Sequence, residues 1–148
     1  MILPVTLAIA AAVALINLWL ALRVTRVRVY GKHMLGDGAD PAVIAKMRAH
    51  ANFTEYAPTI VILIALIELA RGPSLWLWLV GAAFIVARLA HAIGMDRPAP
   101  NPFRLVGALV TWLALLALAV WALAIGYQAS ADKPVPAERT IYLGNPKG

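Results

Sequence analysis

The chain contains no cysteine. A disulfide staple, a thiolate metal site and a cysteine nucleophile are therefore excluded, and any thiol chemistry must use a thiol borrowed from another molecule. The same absence leaves the redox compartment unread. Histidine is scarce too: the three present are scattered, and none is paired with a carboxylate at ligand spacing, so no metal site is expected. Charge is thin. Only 14% of the 148 residues are charged and 62% are apolar, far above the roughly 45–50% apolar share of a soluble domain. No internal repeat is visible, and no low-complexity tract beyond alanine-rich helices. The net charge of +6 comes from thirteen Lys and Arg residues against seven acids. Most of these cations flank the apolar blocks instead of forming a soluble basic face, so no nucleic-acid partner is expected.

What remains is four long apolar blocks, the pattern of an all-α, integral membrane four-helix bundle. The reading places one domain over 1–128, with helices at about 2–24, 41–71, 74–94 and 102–126, and a polar, proline-bearing tail over 129–148. Residues 2–22 carry no charge and could be a signal peptide, but no basic residue precedes them and Arg23, Arg26 and Arg28 follow, so a retained first helix is expected. The second helix is announced by "GDGADP", with Asp40 as N-cap and Pro41 at the first helical position. It ends at Arg71-Gly72-Pro73, and Pro58 is expected to kink it. Ser74 caps the third helix, and Asn101-Pro102 repeats the cap-then-proline signal for the fourth. Trp76, Trp78, Trp112 and Trp121 are candidates for the head-group level.

Charge bias orients the bundle. The first connection and its flanks hold Arg23, Arg26, Arg28, Lys32, Lys46 and Arg48, and the third holds Arg97 and Arg104; the second has only Arg71, and the tail Lys133, Arg139 and Lys147. The first and third connections are therefore expected on the cytoplasmic side, with both termini on the other side. High alanine and a preference for Arg over Lys point weakly to a bacterial source, hence an inner membrane. This topology brings the end of the first helix, the start of the second, the end of the third and the start of the fourth to one leaflet, where their arginines would line a cationic pocket half in the membrane.

"MRAHANFTEY" (47–56) lies where the second helix enters that leaflet. Arg48, Asn52, Glu55 and Tyr56 are spaced i, i+4, i+7 and i+8 and share one helical face. One reading is an interfacial ion pair without a ligand, Arg48 reaching to phosphates and Glu55 matched by an arginine such as Arg88. The other is a ligand site, because polar groups entering lipid cost roughly 2–3 kcal/mol each and usually face a partner helix or a water-filled cavity.

These residues resemble a family, the membrane-associated proteins in eicosanoid and glutathione metabolism, which include microsomal glutathione transferases and leukotriene and prostaglandin synthases. Its signature at the start of the second transmembrane helix, Arg-x-x-x-Asn-x-x-Glu-Tyr/Phe-x-Pro, is similar to "RAHANFTEYAP" here, and "ARLAHAIG" resembles its third-helix Ala-Arg-Leu segment. The resemblance covers about residues 5–127. It implies a homotrimer of four-helix subunits, with glutathione as co-substrate bound between neighbours near the cytoplasmic face and no metal. Carried over by motif, Arg48 would pair with a glutathione carboxylate, Asn52 would hydrogen-bond its backbone, Glu55 would meet its ammonium or hold the arginines, and Tyr56 would line the pocket. Arg28, or alternatively Arg26, would supply a first-helix arginine, and Arg88 belongs to the same site. Where eukaryotic members carry tyrosines on the third helix, this chain has His91 and Met95; His91 would either donate a hydrogen bond in a tyrosine's place or make a plain interhelical contact.

Arg104 matches the family's thiolate-stabilising arginine near the start of the fourth helix; its other reading is an anchor on lipid head groups. A nearby cation and a helix N-terminus both lower a thiol pKa from about 8.5 toward 7. The function implied is conjugation of glutathione to lipophilic electrophiles, or reduction of lipid peroxides, with membrane lipid as surroundings. A non-catalytic binding or regulatory member of the family is the alternative. A small transporter or assembly subunit is a further rival, for which arginines deep in several helices would be expected. Asn17 and Glu68 are read as packing residues.

Overall fold

The computed structural model describes residues 2–33 and 35–131. Among them are four helices and no strand: α1 (Pro4–Tyr30), α2 (Pro41–Arg71), α3 (Leu75–Gly94) and α4 (Pro102–Ala131). Each is long and apolar enough to span a membrane. The expected caps are in place. Asp40 Oδ1 accepts from the Ala42 amide at 2.8 Å, Ser74 Oγ from Leu77 at 3.2 Å and Asn101 Oδ1 from Phe103 at 3.0 Å. Each satisfies a helix N–H that has no intrahelical partner.

Two helix ends differ from expectation. α1 continues past residue 24 to Tyr30, because Arg23, Arg26 and Arg28 are good helix formers that end a hydrophobic span without ending a helix. The break comes at Gly31, whose N–H donates to the Val27 carbonyl at 3.0 Å, followed by Lys32 at φ 56°. α4 likewise runs through 126 to Ala131, taking in the first residues of the expected tail; the remainder, 132–148, lies outside the described residues. α2 is helical through Pro58 and ends where expected, at Arg71, with Gly72 at φ 78°.

α2 packs against all three other helices, whereas α1 and α4 do not touch. Its buried residues, Ala49, Phe53, Ala57, Ile60, Ile64 and Ile67, recur at three and four and so form one stripe. Val5, Ile9, Ile16 and Leu20 of α1, Leu77 and Phe84 of α3 and Leu118 of α4 close the core against it. The outward faces of the helices are apolar as well: Leu105, Val106, Leu109, Leu113, Leu116, Val120 and Leu123 of α4 are all exposed. That is the distribution expected where the surroundings are lipid.

At the first end of α1, Glu68 is buried (1% exposed) although it carries a carboxyl group. Its Oε1 accepts from the Val5 amide at 2.9 Å, and its Oε2 accepts from the Thr6 amide at 2.7 Å and the Thr6 hydroxyl at 2.6 Å. The Leu3 side chain offers no cap, Pro4 has no N–H, and Leu7 N–H already donates to the Leu3 carbonyl. Glu68 thus supplies from α2 the N-cap that α1 lacks in its own sequence.

At the other end, the last turns of α1 and α3 and the first turns of α2 and α4 meet. Arg23 of α1 pairs with Asp96 beyond α3 and reaches the Ala92 carbonyl, and Lys46 of α2 reaches Asp96 at 3.3 Å. One carboxylate therefore gathers three elements. α3 and α4 approach closely because both carry glycine at the contact: a Cβ at Gly94 would lie 2.4 Å from the Arg104 nitrogen, and one at Gly107 would lie 2.6 Å from the Ala87 carbonyl oxygen. Small residues at such crossings let backbones touch.

Candidate functional site

The gathered end encloses a cavity of about 470 Å³, lined by Asp37 from the α1–α2 connection, Arg48, Asn52 and Glu55 from α2, His91 and Met95 from α3 and its C-terminus, and Arg104 from α4. Four of the lining side chains can be charged without protonating a histidine. Of these, Asp37 Oδ1 accepts from the Ala39 amide, closing its own turn. Arg48, Glu55 and Arg104 have no side-chain hydrogen bond or ion pair among the described residues; the three ion pairs found there lie elsewhere. Two cations and one anion thus face one concave space without side-chain partners among the described residues.

The Glu55–Arg88 ion pair of the ligand-free reading is not among the ion pairs of the described residues. Arg88 is 1% exposed and lies behind the cavity, where its Nη2 donates to Asn52 Oδ1 at 2.8 Å and its Nη1 to Thr111 Oγ1 at 3.2 Å. Asn52 stands between it and the cavity, which is why Arg88 does not line the site as its motif position implied. Arg28 does not line it either: its Nη2 donates to the Gly36 carbonyl at 2.9 Å, holding the α1–α2 connection, because α1 points that face toward the loop. Arg26 sits on α1 beside Trp19, Leu22 and Thr25, away from the cavity. Tyr56 is one residue past Glu55 and so turned about 100° around the helix. Its hydroxyl accepts from Trp112 Nε1 at 3.1 Å, which ties α2 to α4 outside the cavity lining.

His91 is held in one tautomer by its neighbour. Its Nδ1 lies 3.2 Å from the Arg104 carbonyl oxygen, and a carbonyl can only accept, so Nδ1 carries a proton and donates. In the neutral ring Nε2 is then an acceptor. Of the two readings of His91, the contact matches the interhelical one: in the neutral ring its one N–H is spent on α4. The contact exists because Gly107 lets α4 lie against His91: a Cβ there would be 2.8 Å from the His91 nitrogen.

A second cavity of about 690 Å³ adjoins the first and shares Asn52, His91 and Arg104 with it; its other walls include Pro100, Pro102, Leu105, Ala108 and Trp112. The first space is of mixed polarity and the second largely apolar, and Arg104 lines both. Polar contacts on an apolar frame are what small-molecule sites need for orientation and affinity. His50, which shares the motif stretch, faces the other way and pairs with Asn17 of α1 at 2.9 Å.

Residues 6–124 match the family model described as the MAPEG family. The chain belongs to that family. It is therefore a multi-pass membrane protein of the group associated with glutathione and eicosanoid metabolism. No curated protein matches the chain. In this MAPEG protein, Arg48, Asn52 and Glu55 of the motif line one cavity together with His91 and Arg104, while Arg28, Arg88 and Tyr56 do not line it. Asp37 and Thr111 were not anticipated. Asp37 sits in a turn-rich stretch where nothing distinguishes it from a turn former, and Thr111 is a lone hydroxyl in an apolar run. A signal for Thr111 existed: it falls four residues after Gly107 on the face that meets α3.

Proposed function

We propose that this protein is a glutathione-dependent membrane enzyme that joins the glutathione sulfur to lipophilic electrophiles or uses it to reduce lipid peroxides. The observation that carries the reading is the set of charges without side-chain partners among the described residues, Arg48, Glu55 and Arg104, facing a cavity of mixed polarity that shares Arg104 with a largely apolar one. Glutathione carries two carboxylates, an ammonium and a thiol. Arg48 would take a carboxylate and Glu55 the ammonium, each at the ordinary strength of charge-assisted hydrogen bonds. Arg104 would stabilise the thiolate. It lies two residues past Pro102, so the helix N-terminus adds its partial positive charge to that of the guanidinium.

Each unit by which the thiol pKa falls is worth about 1.4 kcal/mol in favour of the thiolate. In conjugation the thiol proton leaves to water, the sulfur lone pair forms the new C–S bond and the leaving group departs with its electron pair. The lipophile would enter the apolar cavity laterally from the membrane. The wealth of Lys and Arg at this end supports placing it at the cytoplasmic leaflet, with both termini opposite; high alanine and Arg over Lys are the grounds for a bacterial inner membrane. Assembly as a homotrimer would leave room for a first-helix arginine, Arg26 or Arg28, to act across a subunit boundary. A non-catalytic, binding member of the family is the second reading, favoured by Met95, which offers no hydroxyl where eukaryotic members have a tyrosine.

One assay separates the two. Purified protein in lipid nanodiscs should bind glutathione and turn over a generic aromatic electrophile, and Arg48→Ala should raise the KM for glutathione about tenfold or more, the loss of a charge-assisted bond. Binding without turnover would support the second reading. Normal activity in the Arg48→Ala, Arg104→Ala double variant would eliminate the site.

A further inference from the structure

The polarity of one wall of the cavity is set from behind. Both terminal nitrogens of Arg88 are committed, Nη2 to Asn52 Oδ1 at 2.8 Å and Nη1 to Thr111 Oγ1 at 3.2 Å. Thr111 in turn donates its hydroxyl proton to the Gly107 carbonyl at 2.8 Å, so the lone pairs of Oγ1 are what it presents to Arg88. Arg88 and Thr111 are buried, at 1% and 0% exposure, in the α2–α3–α4 core. A guanidinium has five donors and no acceptor. The atom of Asn52 that faces it must therefore be the carbonyl oxygen, because a flipped amide would set an NH2 group against a buried cation. That leaves the other half of the amide, two N–H donors without a protein partner among the described residues, on a side chain that lines both cavities.

We propose that Arg88 and Thr111 are positioning residues that lock Asn52 as a hydrogen-bond donor toward the cavity, so that the part of the ligand seated on Asn52 is an acceptor oxygen. The proposal rests on the glutathione reading and deepens it. A carbonyl oxygen of the thiol peptide sits on the Asn52 amide N–H, where neither its ammonium nor an amide N–H could be accepted. Along α2 the cavity then presents a cation at Arg48, a donor at Asn52 one turn on and an anion at Glu55 nearly one turn further. The complementary ligand reads anion, neutral acceptor, cation in that order. Arg88 contributes without touching the ligand, and Thr111 contributes by holding the second nitrogen of Arg88 so that the first stays on Asn52.

Four variants test this in nanodiscs. Asn52→Asp keeps an acceptor for Arg88 and removes the donor, whereas Asn52→Leu removes both. Asn52→Asp should melt at or above the temperature of the unaltered protein and Asn52→Leu below it, since only the latter strands a buried charge. In calorimetric titration with glutathione, Asn52→Asp should bind about tenfold more weakly or worse, its carboxylate meeting an acceptor oxygen. Thr111→Val should raise the KM for glutathione with kcat at saturation kept within about twofold, and Thr111→Ser should restore the KM, a split that a purely structural defect would not produce.

Asn52→Asp melting as low as Asn52→Leu, Asn52→Asp binding glutathione as tightly as the unaltered protein, or Thr111→Val with an unchanged KM would each overturn the proposal. Failure of the unaltered protein to bind glutathione would remove the thiol-peptide reading alone. The melting comparison would still decide which way the Asn52 amide faces.

Discussion

Removing the Glu68 carboxylate should unfasten the first turn of α1 and leave the ligand end of the bundle intact. In Glu68→Ala the amides of Val5 and Thr6 and the Thr6 hydroxyl all lose their acceptor. No side chain of α1's own can replace it, because Leu3 does not cap. A buried donor left unpaired costs about 1–3 kcal/mol. Two amides therefore set a scale of roughly 2–6 kcal/mol, of which fraying of the first turn into the interface recovers a part; a loss of about 3 kcal/mol is expected. Thr6→Val removes one charge-assisted bond of the three and should cost about 1.5 kcal/mol. Once Glu68 is alanine, Thr6→Val should cost almost nothing more, and that non-additivity is the signature of a shared contact. The assays are thermal unfolding in nanodiscs and amide hydrogen exchange of the N-terminal peptide, which should lose protection over residues 5 and 6 in Glu68→Ala and keep most of it in Thr6→Val, where both backbone amides still donate to Glu68. Glu68 lies thirteen residues along α2 from Glu55, about 20 Å at 1.5 Å per residue, so glutathione affinity should stay within about twofold of the unaltered protein at that separation. Unchanged exchange at Val5 and Thr6 in Glu68→Ala would refute the cap. A large loss of glutathione affinity would refute the independence of the two ends.

Three further outcomes follow from the geometry. Arg104→Ala should raise the apparent thiol pKa of bound glutathione by about one unit or more, read from the ultraviolet absorbance of the thiolate across pH; an unmoved titration would remove Arg104 from the chemistry. Gly107→Ala places a methyl 2.6 Å from the Ala87 carbonyl oxygen and 2.8 Å from the His91 nitrogen, both backbone atoms that cannot step aside. It should cost about 1–3 kcal/mol by overpacking and break the His91–Arg104 contact, and a stability equal to the unaltered protein would show that the helices separate freely. Asp96→Ala frees Arg23 and Lys46 at a half-exposed site, where losing the two pairs should cost about 1 kcal/mol or less; a larger fall in melting temperature would mean that Asp96 gathers the helix ends more tightly than its exposure implies.

The helices were legible because their punctuation is chemical. Asp40-Pro41, Arg71-Gly72-Pro73, Ser74 and Asn101-Pro102 each announce a cap or a stop, and α2 begins and ends where they say. The ends of α1 and α4 were misread for one shared reason: a hydrophobic span and a helix are different things. Arginines, glutamine and serine end the first without ending the second. Of the four motif residues expected on one face, those at i, i+4 and i+7 line the cavity and Tyr56 at i+8 does not, and His91 and Arg104 join them through topology. Arg88 could not be placed from spacing, since its position relative to the cavity depends on which α2 side chain lies between, and that side chain is Asn52. The role of Glu68 was hidden because the partner it serves, an uncapped helix start, lies sixty-three residues away. The clue was an N-terminal Leu3-Pro4 with no capping side chain of its own.

α2 carries two carboxylates, and comparing them separates structure from function more sharply than either does alone. Both sit on a helix whose surroundings make an unsatisfied charge expensive. Glu68 is fully buried and accepts three hydrogen bonds, so its charge is accounted for by the fold. Glu55 lines a cavity and has no side-chain partner among the described residues, while Arg88 of the adjoining helix is held by Asn52 and Thr111. A fold that caps a helix across the bundle has the means to neutralise Glu55 as well. With Arg48 and Arg104 also free of side-chain partners among the described residues around the same space, the arrangement is the one that the proposed zwitterionic ligand would need. Charge-neutral replacement of Glu55 therefore discriminates: Glu55→Gln should leave the melting temperature of the ligand-free protein unchanged or raise it, while weakening glutathione binding about tenfold. A loss of stability in the absence of ligand would instead make Glu55 a second Glu68.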